Sequence, residues 1–290
     1  MDTLNKKLLG VALSAALGLG LAGNAQAHAY ALSYNDIINF DITGVSAFTA
    51  ESSSSTAAAT NHGFGPATGL PLDAPVANAG TAASGNNTFL PIGMVGDYGY
   101  GDALISSTDV LNGNGAATNI AEAWEVHKGQ LSTAFGENDL AAEFTFTLND
   151  AGTVAASFDA DPYMEVFLDA HNGPGAEAIA SISMVLTITD ISTGGVVGEW
   201  LPGDLNHSIE QLIPTGSSIV WDPTGDGIGG TYNNYQWAGV NLAAGNYGMS
   251  INMVENVSAL HGVPEPASML LIGGGLIGMA YVRRRKTTKA

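Results

Sequence analysis

The 290-residue chain contains no cysteine. That excludes a disulfide framework, a cysteine nucleophile, a thiolate zinc site and thiolate-held iron–sulfur clusters. Charge is also sparse: 12% of residues are charged, about half the usual share of a soluble globular chain, so long surface helices laced with Glu–Lys pairs are not expected. Positive charge is scarcest. Of the eight Lys and Arg, Lys6, Lys7, Arg283, Arg284, Arg285, Lys286 and Lys289 lie in the terminal segments, and only Lys128 stands between them. Residues 28 to 263 hold 25 of the 27 acidic residues against that one lysine, a formal charge of −24. Such a body repels nucleic-acid phosphates and anionic lipid headgroups, so no nucleic-acid partner is expected; divalent cations and cationic partners are favoured. The histidines His28, His62, His127, His171, His207 and His261 stand singly and match no ligand spacing such as H-E-x-x-H. There is no G-x-S-x-G elbow. No catalytic residues are therefore assigned, and the chain is not expected to be an enzyme.

What the chain does have is enough apolar residues, 46%, for a packed core, and 38 glycines to punctuate it. Residues 28–262 read as one acidic body. Tyr34 to Ala50 suggests one strand or two, whereas residues 51–115, with Ser52 to Ser55, Ala57 to Ala59 and Asn112-Gly113-Asn114-Gly115, read as a long low-complexity, loop-rich region. Within it, Tyr98 and Tyr100 are expected as exposed aromatics of a local turn. Glu143 to Leu148 alternates with period two and puts Phe144, Phe146 and Leu148 on one face. Asn149 to Gly152 then reads as the turn of a hairpin into Val154 to Phe158. Further strands are expected at Tyr163 to Leu168, Ile179 to Thr189, Val196 to Trp200, Ser218 to Trp221, Trp237 to Leu242 and Tyr247 to Val254, the last two joined as a C-terminal hairpin. Short strands without a long amphipathic helix give an all-β fold class, a β-sandwich of jelly-roll type.

The two ends carry addresses. Residues 1–27 run from Lys6 and Lys7 through the apolar Leu8 to Leu21 to Ala25-Gln26-Ala27, the form of a secretory signal peptide with a small-x-small cleavage site, so the mature chain is expected to start at His28. At the other end Pro264-Glu265-Pro266 precedes an apolar transmembrane helix, 267–282, of roughly 24 Å, and the basic cluster Arg283, Arg284, Arg285 and Lys286. Basic residues after a span keep that end in the cytoplasm, which places the body outside the inner membrane. Gly273, Gly275 and Gly278 fit G-x-G-x-x-G, but no strand and no following acidic residue give it a dinucleotide-binding context.

Val263-Pro264-Glu265-Pro266, the small-residue stretch Leu271 to Gly278 and the Arg283 to Lys286 cluster, in that order, closely resemble the PEP-CTERM sorting signal of Gram-negative bacteria. The resemblance covers residues 263–290 together with the signal peptide. It implies a substrate of an exosortase, a transpeptidase-like membrane enzyme that cuts near the motif and hands the body to the cell surface or extracellular matrix. It further implies an association with exopolysaccharide and biofilm formation.

Inside the body, Asp159, Asp161, Glu165 and Asp169 form the densest run of carboxylates, and in a strand their shared parity sets them on one face. Calcium favours such oxygen ligands and could substitute structurally for missing disulfides; a solvated strand face is the alternative. Asp222-Pro223-Thr224-Gly225-Asp226-Gly227 looks like a calcium loop but lacks EF-hand spacing, so a plain turn is the simpler reading. Trp124, Trp200, Trp221, Trp237, Tyr232 and Tyr235 could stack on sugars or fill core and rim. The combined expectation is an exported matrix protein of structural or adhesive role. A carbohydrate-binding module and a secreted glycoside hydrolase using paired carboxylates stand as alternatives.

Overall fold

A computed structural model describes residues 28–63, 76–77, 89–91, 98–125, 132–173 and 175–261. The signal peptide with Ala25 and Ala27, the motif Pro264 to Pro266, the expected span 267–282 and the basic tail lie outside the described residues. Among those described, no helix is long and apolar enough to cross a membrane. The described chain is all-β. In chain order its strands are β1 (Ala29–Thr43), β2 (Phe48–Gly63), β3 (Val76–Ala77), β4 (Tyr98–Ser107), β5 (Gly115–Glu125), β6 (Ser132–Leu148), β7 (Gly152–Leu168), β8 (Glu177–Asp190), β9 (Gly195–Trp200), β10 (Asn206–Gln211), β11 (Ser218–Trp221), β12 (Asn233–Leu242) and β13 (Gly245–His261).

They form two sheets. One runs β11-β7-β1-β5-β4-β3 with β12 also on β7; the other runs β10-β8-β13-β6-β2 with β9 also on β8. Period-two alternation supplies the inner faces. In β7, Val154, Ala156, Phe158, Ala160, Met164, Val166 and Leu168 point inward; in β8, Ala178, Ala180, Ile182, Met184, Leu186 and Ile188 do. The two runs meet in a single core. β1 keeps its inner face through a bulge. Its pairing shifts register around Asn39, which takes the left-handed φ of 54°, so that Ile37 and then Phe40 and Ile42 all reach the core. Pro162 lies inside β7 between the stretch paired with β12, ending at Ala160, and the stretch paired with β11, starting at Met164. Its missing N–H falls in the break between two edge strands, and so β7 runs unbroken where two separate strands are expected from the sequence.

Three sequence expectations are corrected here. Residues 51–63 are not loop: the Ser/Thr/Ala run is β2, an edge strand held along β6. Tyr98 and Tyr100 are not in an exposed turn but buried in β4. Finally, neither expected hairpin forms. The turn after Leu148 carries the chain from β6 in one sheet to β7 in the other, and the turn after Leu242 carries it from β12 to β13, again across sheets. In both cases the flanking strands present their apolar sides to one another through the core, a burial that edge-to-edge pairing within one sheet would not provide.

Candidate functional site

Because the inner face of β1, β4, β5 and β7 is spent on the core, their alternate residues form an outer face, and it is aromatic and acidic. Register sets them in rows across four strands. Tyr98, Trp124, Tyr30 and Phe167 form one row; Tyr100, Glu122, Leu32 and Glu165 the next; Asp102, Ile120, Tyr34 and Tyr163 a third. Thr118, Asp36 and Asp161 follow. Phe89 and Ile228 pack onto this second cluster, and Tyr30, Tyr34, Tyr98, Tyr100 and Trp124 are all buried. Glu122, Asp102 and Asp161 are fully buried with them.

Burying carboxylates among rings requires donors, and the phenols supply them. Tyr30 donates to Glu122 Oε1 at 2.9 Å, Tyr100 to Asp102 Oδ2 at 3.0 Å and Tyr163 to Glu165 Oε2 at 3.1 Å. Asp36 accepts from Thr118 at 2.6 Å and from Tyr232 at 2.5 Å. Burial, reinforced by the adjacent carboxylates, raises the phenols: Tyr163 is pushed up to about 12, and Tyr30, Tyr34, Tyr98 and Tyr232 go higher still. The tyrosines therefore stay protonated and act as donors. Burial also raises Asp102, against the pull of Tyr100 and the Ala103 N–H, and it raises Asp161 against two backbone donors. Chemically, this face carries a set of phenol–carboxylate pairs, Tyr30 with Glu122, Tyr100 with Asp102, Tyr163 with Glu165 and Tyr232 with Asp36.

The four carboxylates singled out in the sequence fall along this face without converging. In a strand rising about 3.3 Å per residue, Asp159 and Glu165 stand roughly 20 Å apart. Each has its own partners. Asp159 takes Asn39 at 2.8 Å and Asn234 at 2.7 Å; Asp161 takes the N–H groups of Gly229 at 2.7 Å and Gly230 at 3.2 Å. Glu165 has Tyr163, and Asp169, just past the strand, holds the N–H and ring of His171 at 2.8 and 2.6 Å. Among the described residues no three His, Asp or Glu side chains gather to hold a metal ion. The Asp222 loop is a turn: Asp222 accepts from Thr224 N, Gly225 N and Gly227 N at 3.0, 2.7 and 2.9 Å. Burial pulls its carboxyl up, but the Thr224 hydroxyl, donating at 2.7 Å, and these backbone donors together hold it below the usual carboxylate range. Backbone N–H groups thus occupy the oxygens that a cation would use.

The tryptophans are placed as core and rim. Trp124 is buried, while Trp200, Trp221 and Trp237 are partly buried against the core. Trp200 and Trp237 stack at 6.2 Å where β9 meets β12, and Trp221 stacks on His207 at 4.9 Å where β11 meets β10. These rings close the side of the sandwich. Residues that sequence reasoning missed are Tyr30, Tyr34, Asp36, Asp102 and Glu122. Their signal is a period-two spacing, as in Tyr30-x-Leu32-x-Tyr34-x-Asp36, masked because both faces of the strand are buried.

Comparison with known proteins identifies the C-terminus. Residues 262–286 match the family model described as the PEP-CTERM protein-sorting motif. The match is that of an exosortase-sorted protein, membrane-anchored first and then exported. No curated protein matches the chain. Among solved structures, a chain of the infectious bursal disease virus Gx strain structure aligns at 12% identity over 84% of this chain and 68% of that one. The TM-score of that alignment is 0.11.

Proposed function

We propose that the chain is delivered to the cell surface or extracellular matrix and acts there as a structural, adhesive component of the exopolysaccharide layer. The observation that carries this is the sorting motif at 262–286 on a body of formal charge −24. A leader ending at Ala27 starts export, an exosortase cuts near Pro264 to Pro266, and the released body is a rigid polyanion. The chain crosses between the two sheets from β1 to β2, β2 to β3, β5 to β6, β6 to β7, β7 to β8, β10 to β11 and β12 to β13, and these crossings support a jelly-roll architecture. Its adhesion is physical: divalent cations held diffusely between exposed carboxylates link it to acidic polysaccharide or neighbouring bodies. The stacking of Trp200 on Trp237 and of Trp221 on His207 weighs against a flat tryptophan platform for sugar rings.

The test is intact mass, with both termini mapped, of the protein recovered from cells and medium. A body running from His28 to near Pro264 supports the reading. Retention of residues 267–290 in surface material overturns release, and an absence from the surface and matrix fractions overturns the location.

A further inference from the structure

At the start of the described chain sits a carboxamide with an unmet acceptor. His28 lies opposite Asp169 across β1 and β7, and its carbonyl accepts from Asp169 N at 2.9 Å and from Asn172 Nδ2 at 2.6 Å. Asn172 is only 8% exposed, and its Oδ1 is buried with no hydrogen-bond partner. In an antiparallel ladder a residue turns its N–H and C=O to the same neighbour. The nitrogen of His28 therefore faces the side on which its carbonyl is already held, that of Asp169 and Asn172. From that position β1 runs straight into the centre of its sheet, with Ala29 fully buried between Glu125 and Leu168.

We propose that Asp169 and Asn172 form a receptor for a primary ammonium, the α-ammonium of His28 created when residues 1–27 are removed. The inference rests on the leader-cleavage reading of Ala25 and Ala27. A peptide nitrogen offers one donor and no charge; an α-ammonium offers three donors and a positive charge. Those donors meet the orphan oxygen of Asn172 and the carboxylate of Asp169, in a body whose other fixed cation is Lys128. Cleavage thus completes the fold where its central strand begins. The titratable groups facing this point are Asp169 and His171 after β7, Glu125 opposite Ala29 on β5, and the imidazole of His28, which stands edge-on to Trp124 at 5.1 Å. β11 and its approach contribute a backbone N–H, Gly216 to Leu168 O, and no charge.

An ordinary α-amine titrates near 7.7–8.0. A carboxylate partner raises that value in the folded state, so the stabilisation is complete below about pH 8 and is lost as pH rises through the folded value. The test compares the chain from His28 to Ala290 with a free amine, with an acetylated amine, and with Gln26-Ala27 retained, alongside Asp169→Asn and Asn172→Ala in the free form. Thermal midpoints are read from pH 6 to 10.5, together with the rate at which the α-amine is acylated. The free form is expected to melt several degrees above the two blocked forms at pH 7, with the gap closing by about pH 10. Its amine is expected to acylate about tenfold more slowly than in the Asp169→Asn variant, as one unit of raised pKa requires. Equal midpoints for all three forms at pH 7, or an amine titrating at its ordinary value, overturn the receptor while leaving the leader reading intact. An exported protein whose mapped terminus is not His28 overturns both.

Discussion

Phe158 touches three other rings: Phe40 at 5.1 Å, Tyr235 at 5.2 Å and Trp200 at 5.3 Å. It is fully buried, and it ties β1, β12 and β9 to the middle of β7. Phe158→Ala is expected to cost about 3–5 kcal/mol in urea unfolding, and Phe158→Leu less than about 1.5 kcal/mol, because a cavity is penalised beyond lost transfer energy. Asn39 gives a contrasting case. Its φ of 54° suits glycine or asparagine, so Asn39→Gly should stay within about 0.5 kcal/mol, whereas Asn39→Val should cost about 2 kcal/mol by forcing a β-branched residue into the left-handed region. Asp102 sets a pH test. Burial raises its carboxyl, so the folded state prefers the proton; that contribution is present below about pH 3.9 and is lost as pH rises through the folded value. Asp102→Asn keeps an acceptor for Tyr100 and removes the ionisation. Its melting temperature relative to the parent should rise between about pH 4 and pH 7, and an unchanged difference would mean that Asp102 is not held protonated.

At the scale of elements, the start of β7 is pressed from both neighbouring strands. Gly44, just after β1, has φ +85°, and a Cβ there would lie 1.9 Å from Thr153 O; Gly239, in the β12 bulge, has φ +85° and would lie 2.2 Å from Val154 O. Gly239→Ala is therefore expected to cost more than about 2 kcal/mol. Gly152→Ala, where a Cβ meets nothing within 4 Å, should be neutral or stabilise by up to about 1 kcal/mol, and denaturant midpoints separate the two cases. The same elements show what was legible in the sequence. Phe144, Phe146, Leu148 and Val154 to Phe158 declare strands because one face is apolar. The turns after Leu148 and Leu242 conceal their destination, since Asn, Gly and Ala form a tight link equally well within a sheet or across to the other. β2 was illegible for a different reason: Ser52 to Ser55 have no strand signature of their own, and the backbone edge of β6 makes them one. The carboxylates Asp159, Asp161 and Glu165 of β7 share the parity that a period of two makes visible. Strand rise and local donors then separated them, and those donors, Gly229, Gly230 and Asn39, are invisible until distant segments pair.

For the whole molecule the dominant fact is charge of one sign. A formal −24 spread over residues 28–263 repels itself in the compact state, and screening acts within about 10 Å at 0.1 M salt. Raising sodium chloride from about 10 to 200 mM should therefore raise the melting temperature by several degrees, against the small effect usual for balanced surfaces. Divalent cations separate two explanations of cohesion. If a resident calcium held the body, EDTA at fixed ionic strength would lower the midpoint sharply, because a ligand bound only to the native state stabilises by mass action. Asp159, Asp161, Glu165 and Asp169 are instead held apart by the strand and satisfied by amides, phenols and a histidine. The expected outcome is a shift under about 1 °C on chelation, with calcium and magnesium interchangeable in stabilising the isolated body. Association between bodies should behave differently, since two polyanions approach only when multivalent counterions sit between them. Light scattering should then show calcium-dependent, EDTA-reversible self-association or polysaccharide binding at concentrations where the melting temperature does not move. A midpoint that falls in step with dissociation would mean that the cation belongs to the fold and not to the contact between molecules.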